Sequence, residues 1–179
     1  MSESFPKETL ENLWSPWRVE YFQRPPDAPR DFFLQAANTD DDAEHFVVAR
    51  RKSMFLMLNR YPYTIGHMMV VPYRKLSEME ELADDEAMEL WKLCLHAQRL
   101  LREVVKAQGF NVGVNLGAAA GAGCAEHLHF HIVPRWDGDS NFMPVIGGTR
   151  ILPDALGRVY QTLLEAQAGS PQQPDGGRA

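Results

Sequence analysis

Glu126-His127-Leu128-His129-Phe130-His131-Ile132-Val133-Pro134-Arg135-Trp136 sets three histidines in strict alternation with apolar residues and closes on a proline. Period-two alternation with bulky apolar partners predicts a half-buried β-strand. Successive side chains of a strand point to opposite faces, so His127, His129 and His131 share one face. Leu128, Phe130 and Ile132 then enter a core from the other. Such a strand holds three imidazoles in a row, and imidazole is the side chain that serves near neutral pH as nucleophile, general acid or base, or metal ligand. Just upstream, Asn115-Leu116-Gly117-Ala118-Ala119-Ala120-Gly121-Ala122-Gly123-Cys124 is a small-residue loop along which a ligand can approach the backbone closely.

Working outward, Phe46 to Arg50 and Ser53 to Asn59 are strand-like runs around Arg51-Lys52, which predicts a hairpin. Tyr61-Pro62-Tyr63-Thr64-Ile65-Gly66 is turn-rich, and His67 to Pro72 reads as a third strand; Asn59 and His67 flank the loop. Glu86 to Lys106 is rich in helix formers, with Asp84 as the N-cap and Met88, Leu90, Trp91, Leu95, Leu100 and Val104 as its buried stripe. Cys94 and His96 fall within this helix and read as packing or surface residues. Phe110 to Asn115 is a fourth strand. Beyond the histidines come a loop, Asp137 to Asn141, and an apolar segment, Phe142 to Ile146. A last helix is predicted from Pro153-Asp154 to about Glu165, with Leu156, Val159, Tyr160, Leu163 and Leu164 apolar. The order of elements predicts an α+β domain, an antiparallel sheet with a long helix packed on it.

At the N-terminus, Leu13-Trp14-Ser15-Pro16-Trp17-Arg18-Val19-Glu20-Tyr21 is aromatic enough to pin an arm onto the domain or to shape a pocket or dimer contact. Arg24 to Pro29 is a stiff connector. The expected organisation is an arm over residues 1–30, a domain over 31–166 and a disordered tail over 167–179, which has no apolar anchors. The chain has 179 residues, enough for one domain with a real core. Its net charge of −6 argues against nucleic-acid binding as the main task. With only Cys94 and Cys124, no secretory signal and no apolar run of membrane-spanning length, the expectation is a cytoplasmic protein without membrane or nucleic-acid partners.

Three chemistries compete for the histidine row. A metal held by all three is awkward, because the Cα atoms of His127 and His131 lie roughly 13 Å apart at the rise of a strand. Asp137, Asp139 and His67 are possible extra ligands, but neither CxxC nor HExxH occurs. Alternatively, the three are core histidines satisfied by hydrogen bonds. The third reading is nucleophilic: a neutral imidazole attacks phosphorus, a carbonyl holds the proton on its other nitrogen, and the flanking histidines protonate the leaving group. Gly117 to Gly123 would then offer backbone N–H groups to phosphate oxygens.

His127-Leu128-His129-Phe130-His131-Ile132-Val133 resembles the signature of the histidine-triad (HIT) superfamily. Leu58 to His67 with Val70-Val71-Pro72 resembles that family's nucleoside-binding segment and fourth histidine. Trp14 to Arg18 and Val133 to Phe142 are similar to the bacterial branch that includes diadenosine tetraphosphate phosphorylases. The resemblance implies a HIT-like sheet continued across a homodimer. It also implies cleavage of dinucleoside polyphosphates through a nucleotidyl-histidine intermediate, with phosphate or water as acceptor. By it His129 is the nucleophile and the His127 carbonyl orients its ring. The His127 side chain lies near the leaving group, and His131 and His67 support the site from behind. Asn59 contacts ribose, while Asn115 and the backbone of Gly121, Gly123 and Cys124 contact phosphates. An adenine-type base sits in an apolar pocket and no cofactor or metal is required.

Two departures stand out. Asp31-Phe32-Phe33-Leu34 replaces the Cys-x-x-Cys zinc pair of many relatives, so no structural zinc is expected. Gly123 and Cys124 stand where many relatives carry Ser, Thr or Gln. Hydrolysis of phosphoramidates or other nucleotide conjugates, and a non-catalytic nucleotide-binding module, remain as alternative functions.

Overall fold

The structure, a computed structural model, describes residues 32–139 and 156–169. The aromatic N-terminal segment, the proline-rich connector, the Phe142–Ile146 run, the Pro153-Asp154 helix start and residues 170–179 lie outside the described residues. Helices α1 (Phe32–Ala37) and α2 (Asp42–His45) precede strands β1 (Val47–Arg50), β2 (Met54–Leu58) and β3 (Met68–Pro72). The long helix α3 (Asp84–Val104), strands β4 (Gly109–Val114) and β5 (Phe130–Arg135), and helix α4 (Leu156–Gly169) complete the fold. The five strands form one antiparallel sheet in the order β1-β2-β3-β5-β4. This is the α+β architecture read from the element order.

The sheet has two different faces. Toward α3 and α4 it presents Met54, Leu56, Leu58, Met68, Val70, Leu128, Phe130 and Ile132, which pack with Leu90, Leu93, Leu100, Leu101 and Leu163 into the main core. Toward α1 it presents Val47, Phe55, Met57, Met69 and Val71 in a smaller cluster with Phe33 and Ala36. Met69 pairs with His131 across β3 and β5, so the histidine face is this second, thinner side. The alternation of the histidine stretch is therefore realised as expected: apolar residues to the thick core, histidines to the thin face.

Several expectations are corrected. Regular pairing in β5 begins at Phe130, so only His131 of the three histidines is in the ladder; His127, at a bend, and His129 precede it. The chain there hydrogen-bonds irregularly instead, Leu128 N–H to the Leu76 carbonyl at 2.6 Å. Asp84 is the first residue of α3, and Ala83 occupies the cap position, its N–H accepted by the Glu86 carboxylate at 2.9 Å. The buried stripe of α3 is Leu90, Leu93, Cys94, Ala97, Leu100 and Leu101. Met88, Trp91 and Leu95 are 56%, 61% and 38% exposed. At 100° per residue these three lie on a flank turned away from the sheet, so they share the helical period without sharing the core face. Helix α4 runs on through Gly169, and Gln167 hydrogen-bonds the Val48 carbonyl at 2.8 Å. Helices α1 and α2 have no counterpart among the sequence expectations.

The β2–β3 loop delivers His67 to the thin face. Gly66 takes φ +74, a left-handed conformation that costs an L side chain about 1–2 kcal/mol. A Cβ there would also lie 2.8 Å from Leu101 Cδ2. Gly66→Ala should therefore lower unfolding free energy by about 1–3 kcal/mol in urea titrations. Unchanged stability would show that the loop can relax to another conformation.

Candidate active site

His67, His127, His129 and His131 are all buried, with exposures of 0%, 0%, 6% and 8%. Buried polar groups are held by hydrogen bonds, and here those bonds dictate where each ring carries its proton. A backbone amide can only donate, so the Tyr63 N–H at 3.1 Å from His67 Nδ1 makes that nitrogen an acceptor. The His67 proton is then on Nε2, which donates to His131 Nδ1 at 2.9 Å. The His131 proton is in turn on Nε2. Asn59 agrees with this order. Its Oδ1 accepts the Tyr61 N–H at 2.8 Å, which turns its NH2 group toward His67 Nδ1 at 3.3 Å.

The chain of donors ends at His131 Nε2. Among the described residues it is the only buried side-chain nitrogen or oxygen that lacks a hydrogen-bond partner. Burial, and secondarily the nearby charge that His129 can carry, push the His131 pKa down to about 4. His131 is therefore a neutral N–H donor in need of an acceptor. Its ring stands edge-on to His129, centroids 4.9 Å apart.

His129 donates from Nδ1 to the His127 carbonyl at 2.7 Å. That bond holds the proton on Nδ1 and places the lone pair on Nε2. The His127 ring donates from Nε2 to the Pro72 carbonyl at 2.9 Å, so this side chain is anchored on the end of β3. Phe33 from α1 lies against both rings, 4.7 Å from His129 and 5.5 Å from His127 between centroids. Tyr63 packs on His67 at 4.5 Å and reaches His131 at 5.7 Å.

The structure thus brings together His67, His127, His129, His131 and Asn59. Cys124 is half-buried beside the Phe33 cluster, and its carbonyl accepts the His127 N–H at 3.3 Å. Asn115 is half-buried just beyond β4, while Gly121, with φ +88, and Gly123 lie exposed in the loop that returns to the triad. Asp137 and Asp139 are engaged elsewhere, by Gln108 and by a two-bond pairing with Arg135 at 2.6 Å. Among the described residues no three His, Cys, Asp or Glu side chains are grouped to hold a metal ion. Cys94 is buried in the main core, which pushes its thiol up to about 11, in keeping with a packing role.

Sequence reasoning missed Phe33, Tyr63 and the Pro72 carbonyl. Tyr63 was the most accessible of these, lying in an aromatic loop that ends on His67. Phe33 was seen only as the place of an absent cysteine pair.

A family model described as HIT domain matches residues 40–138. A protein named AP-4-A phosphorylase from Mycobacterium tuberculosis is 42% identical over 173 residues, 92% of this chain and 88% of that one. A bis(5'-nucleosyl)-tetraphosphatase (asymmetrical) from Schizosaccharomyces pombe is 30% identical over 93 residues, 52% of this chain and 50% of that one. Among solved structures, a zinc-bound histidine triad family protein from Mycobacterium smegmatis superposes with a TM-score of 0.62 at 25% identity, covering 76% of this chain and 92% of that one.

The depressed pKa of His131 has a signed consequence. Above pH 6.5 neither the folded nor the unfolded chain protonates this ring. Between about 6.5 and about 4 the unfolded chain takes up a proton that the folded site refuses. Stability that is complete above pH 6.5 is therefore lost as pH falls through this window, and the loss levels off below about 4. Urea midpoints measured from pH 7 to pH 4 should show it, and His131→Gln should flatten that part of the profile. Identical slopes in both proteins would contradict the assignment.

Proposed function

This chain belongs to the HIT domain family, and on that premise we propose that it cleaves dinucleoside polyphosphates of the diadenosine tetraphosphate type by phosphorolysis. What carries the reading is the hydrogen bond from His129 Nδ1 to the His127 carbonyl, which keeps the proton on Nδ1 and the lone pair on Nε2. The relationship to AP-4-A phosphorylase along nearly the whole chain supports phosphate as the acceptor.

The steps follow from the proton order. His129 Nε2 attacks the α-phosphorus, a P–N bond forms, and the bond to the bridging oxygen breaks to release ATP. Charge on the non-bridging oxygens meets the His131 Nε2–H, the buried donor that lacks a partner. His131 stays neutral, and its donor is backed by His67 and finally by the Tyr63 amide, so the group enters the reaction already oriented. Because the His127 Nε2–H is engaged by Pro72, a proton passed from His127 to the leaving oxygen is a second one, taken up at Nδ1 before the transfer and given from there, which returns the ring to its neutral form. Inorganic phosphate then attacks the phosphorus, the P–N bond breaks and ADP is formed. Asn59 is assigned to the ribose, the Gly121–Cys124 backbone and Asn115 to the phosphates, and an apolar pocket to an adenine-type base.

The active form in this reading is a homodimer. β4 is an outer strand with Val112 43% exposed. Trp91, Leu95 and Arg102 follow one flank of α3, and the Arg102 guanidinium lies 4.9 Å over the Phe110 ring of β4. The exposed apolar stripe of α3 therefore adjoins the open edge, which supports a second copy extending the sheet there. Among the described residues no helix is long and apolar enough to cross a membrane. Cys94 and Cys124 are thiols, which supports a cytoplasmic setting.

With diadenosine tetraphosphate, ATP plus ADP should appear only when phosphate is supplied. ATP plus AMP formed without phosphate would make the chain an asymmetric hydrolase. AMP binding without turnover would make it a binding module. His129→Ala should lower kcat by on the order of 10³-fold or more with the fold intact, and near-normal turnover would remove His129 as nucleophile. For the dimer, Trp91→Glu should shift the sedimentation coefficient to that of a monomer; an unchanged coefficient would place the contact elsewhere.

A further inference from the structure

The mechanism makes no use of Arg50, the last residue of β1, yet this guanidinium is tied into the wall of the site. It is one-quarter exposed at its side chain. Nη2 donates to the Ala36 carbonyl at 2.9 Å and to the Thr39 carbonyl at 2.8 Å, while Nε donates to Asp42 Oδ1 at 2.7 Å. Its plane lies near the Phe55 and Tyr73 rings, 5.7 and 5.9 Å from their centroids. One side chain therefore joins the end of α1, the turn after it and the start of α2 to the sheet.

Helix α1 depends on such a tie. It has six residues, far fewer than the roughly 12–15 needed for a helix to hold by itself in water. It carries no acidic residue in its first turn and no basic residue in its last. Its C-terminal carbonyls are the negative end of the helix, and a cation donating to them is the stabilising partner. Asn38 serves the Leu34 carbonyl from its backbone and side chain, and Arg50 serves Ala36. Three residues before Ala36, on the same helix, Phe33 is 1% exposed and lies against the rings of His129 and His127.

We propose that Arg50 is a positioning residue: by clamping the end of α1 it keeps Phe33 against His129 and so fixes the plane of the attacking imidazole. Its relevance to turnover rests on the reading under Proposed function; the link from Arg50 to the His129 ring does not. A lysine is no substitute, since one ammonium cannot reach two carbonyls and a carboxylate in the fork geometry of arginine. An attacking atom held out of line loses rate at saturating substrate, so the cost belongs in kcat more than in KM.

The test uses the full chain with Arg50→Gln, Arg50→Lys, Phe33→Leu and the Arg50→Gln/Phe33→Leu double variant. The first readout is carbethoxylation by diethyl pyrocarbonate, resolved by residue with mass spectrometry and needing no substrate. In Arg50→Gln and Arg50→Lys the rate at His129 should change by about threefold or more, while His96, on α3 and bonded to Gln167 of α4, reacts as before. The second readout is turnover of diadenosine tetraphosphate. Arg50→Gln should lower kcat by about tenfold with little change in KM, and should cost nothing further in the Phe33→Leu background. An unchanged His129 rate, an equal change at His96, or additive losses in the double variant would each overturn the proposal. If the wild-type chain turns over no dinucleotide, the modification arm still decides the role of Arg50, and only the functional reading falls.

Discussion

The short hydrogen bond between the His129 ring and the carbonyl of His127 is the constraint on which the site depends. It needs the bend at His127 and an unpaired stretch before β5, so that the His129 side chain reaches the carbonyl two positions earlier. Regular β pairing would have given that carbonyl to a neighbouring strand. On the proposed mechanism, the late start of β5 at Phe130 serves the chemistry. The segment is held instead by the Leu76 carbonyl on Leu128 and by the Pro72 carbonyl on the His127 ring, both contributed by the end of β3 and the turn beyond it.

From the other side, the orientation of the rings is imposed by the main chain. The Tyr63 amide sets His67, His67 sets His131, and His131 is left presenting a donor. Protonation of His131 would put two hydrogens between His67 Nε2 and His131 Nδ1, and for His131 burial works in the same direction. Protonation of His67 would set a hydrogen on its Nδ1 against the Tyr63 N–H. In the proposed reaction the site so arranged offers one neutral donor, His131 Nε2–H, to the developing negative charge. It achieves this without a lysine or arginine from within the row. The Arg50 guanidinium hydrogen-bonds the end of the helix that carries Phe33.

Much of this was legible in the amino-acid order. The alternation from His127 to Ile132 correctly assigned the faces, because a two-residue period is unambiguous where every second residue is apolar. The α+β class, the β1–β2 hairpin and the long helix followed from runs long enough to show their period. The stripe of α3 was misread at Met88, Trp91 and Leu95, because an apolar residue on a free flank obeys the same 3.6 spacing as one in the core. Helix α1 was missed, since six residues carry too little periodicity and its C-terminal Ala36 carbonyl is met by Arg50, fourteen positions away. The proton order was also invisible, because it originates in backbone groups of Tyr63, His127 and Pro72 that any residue type could have supplied.

The central claim, that His129 Nε2 bonds to phosphorus, is tested most directly by trapping the intermediate. The enzyme would be quenched during turnover of a dinucleotide labelled at the α-phosphate, and its peptides sequenced by mass. The account requires one nucleoside monophosphate on the peptide containing His129, stable in alkali and lost in acid. A protein that turns over the substrate while the label never appears on it, or appears on another residue, would contradict it.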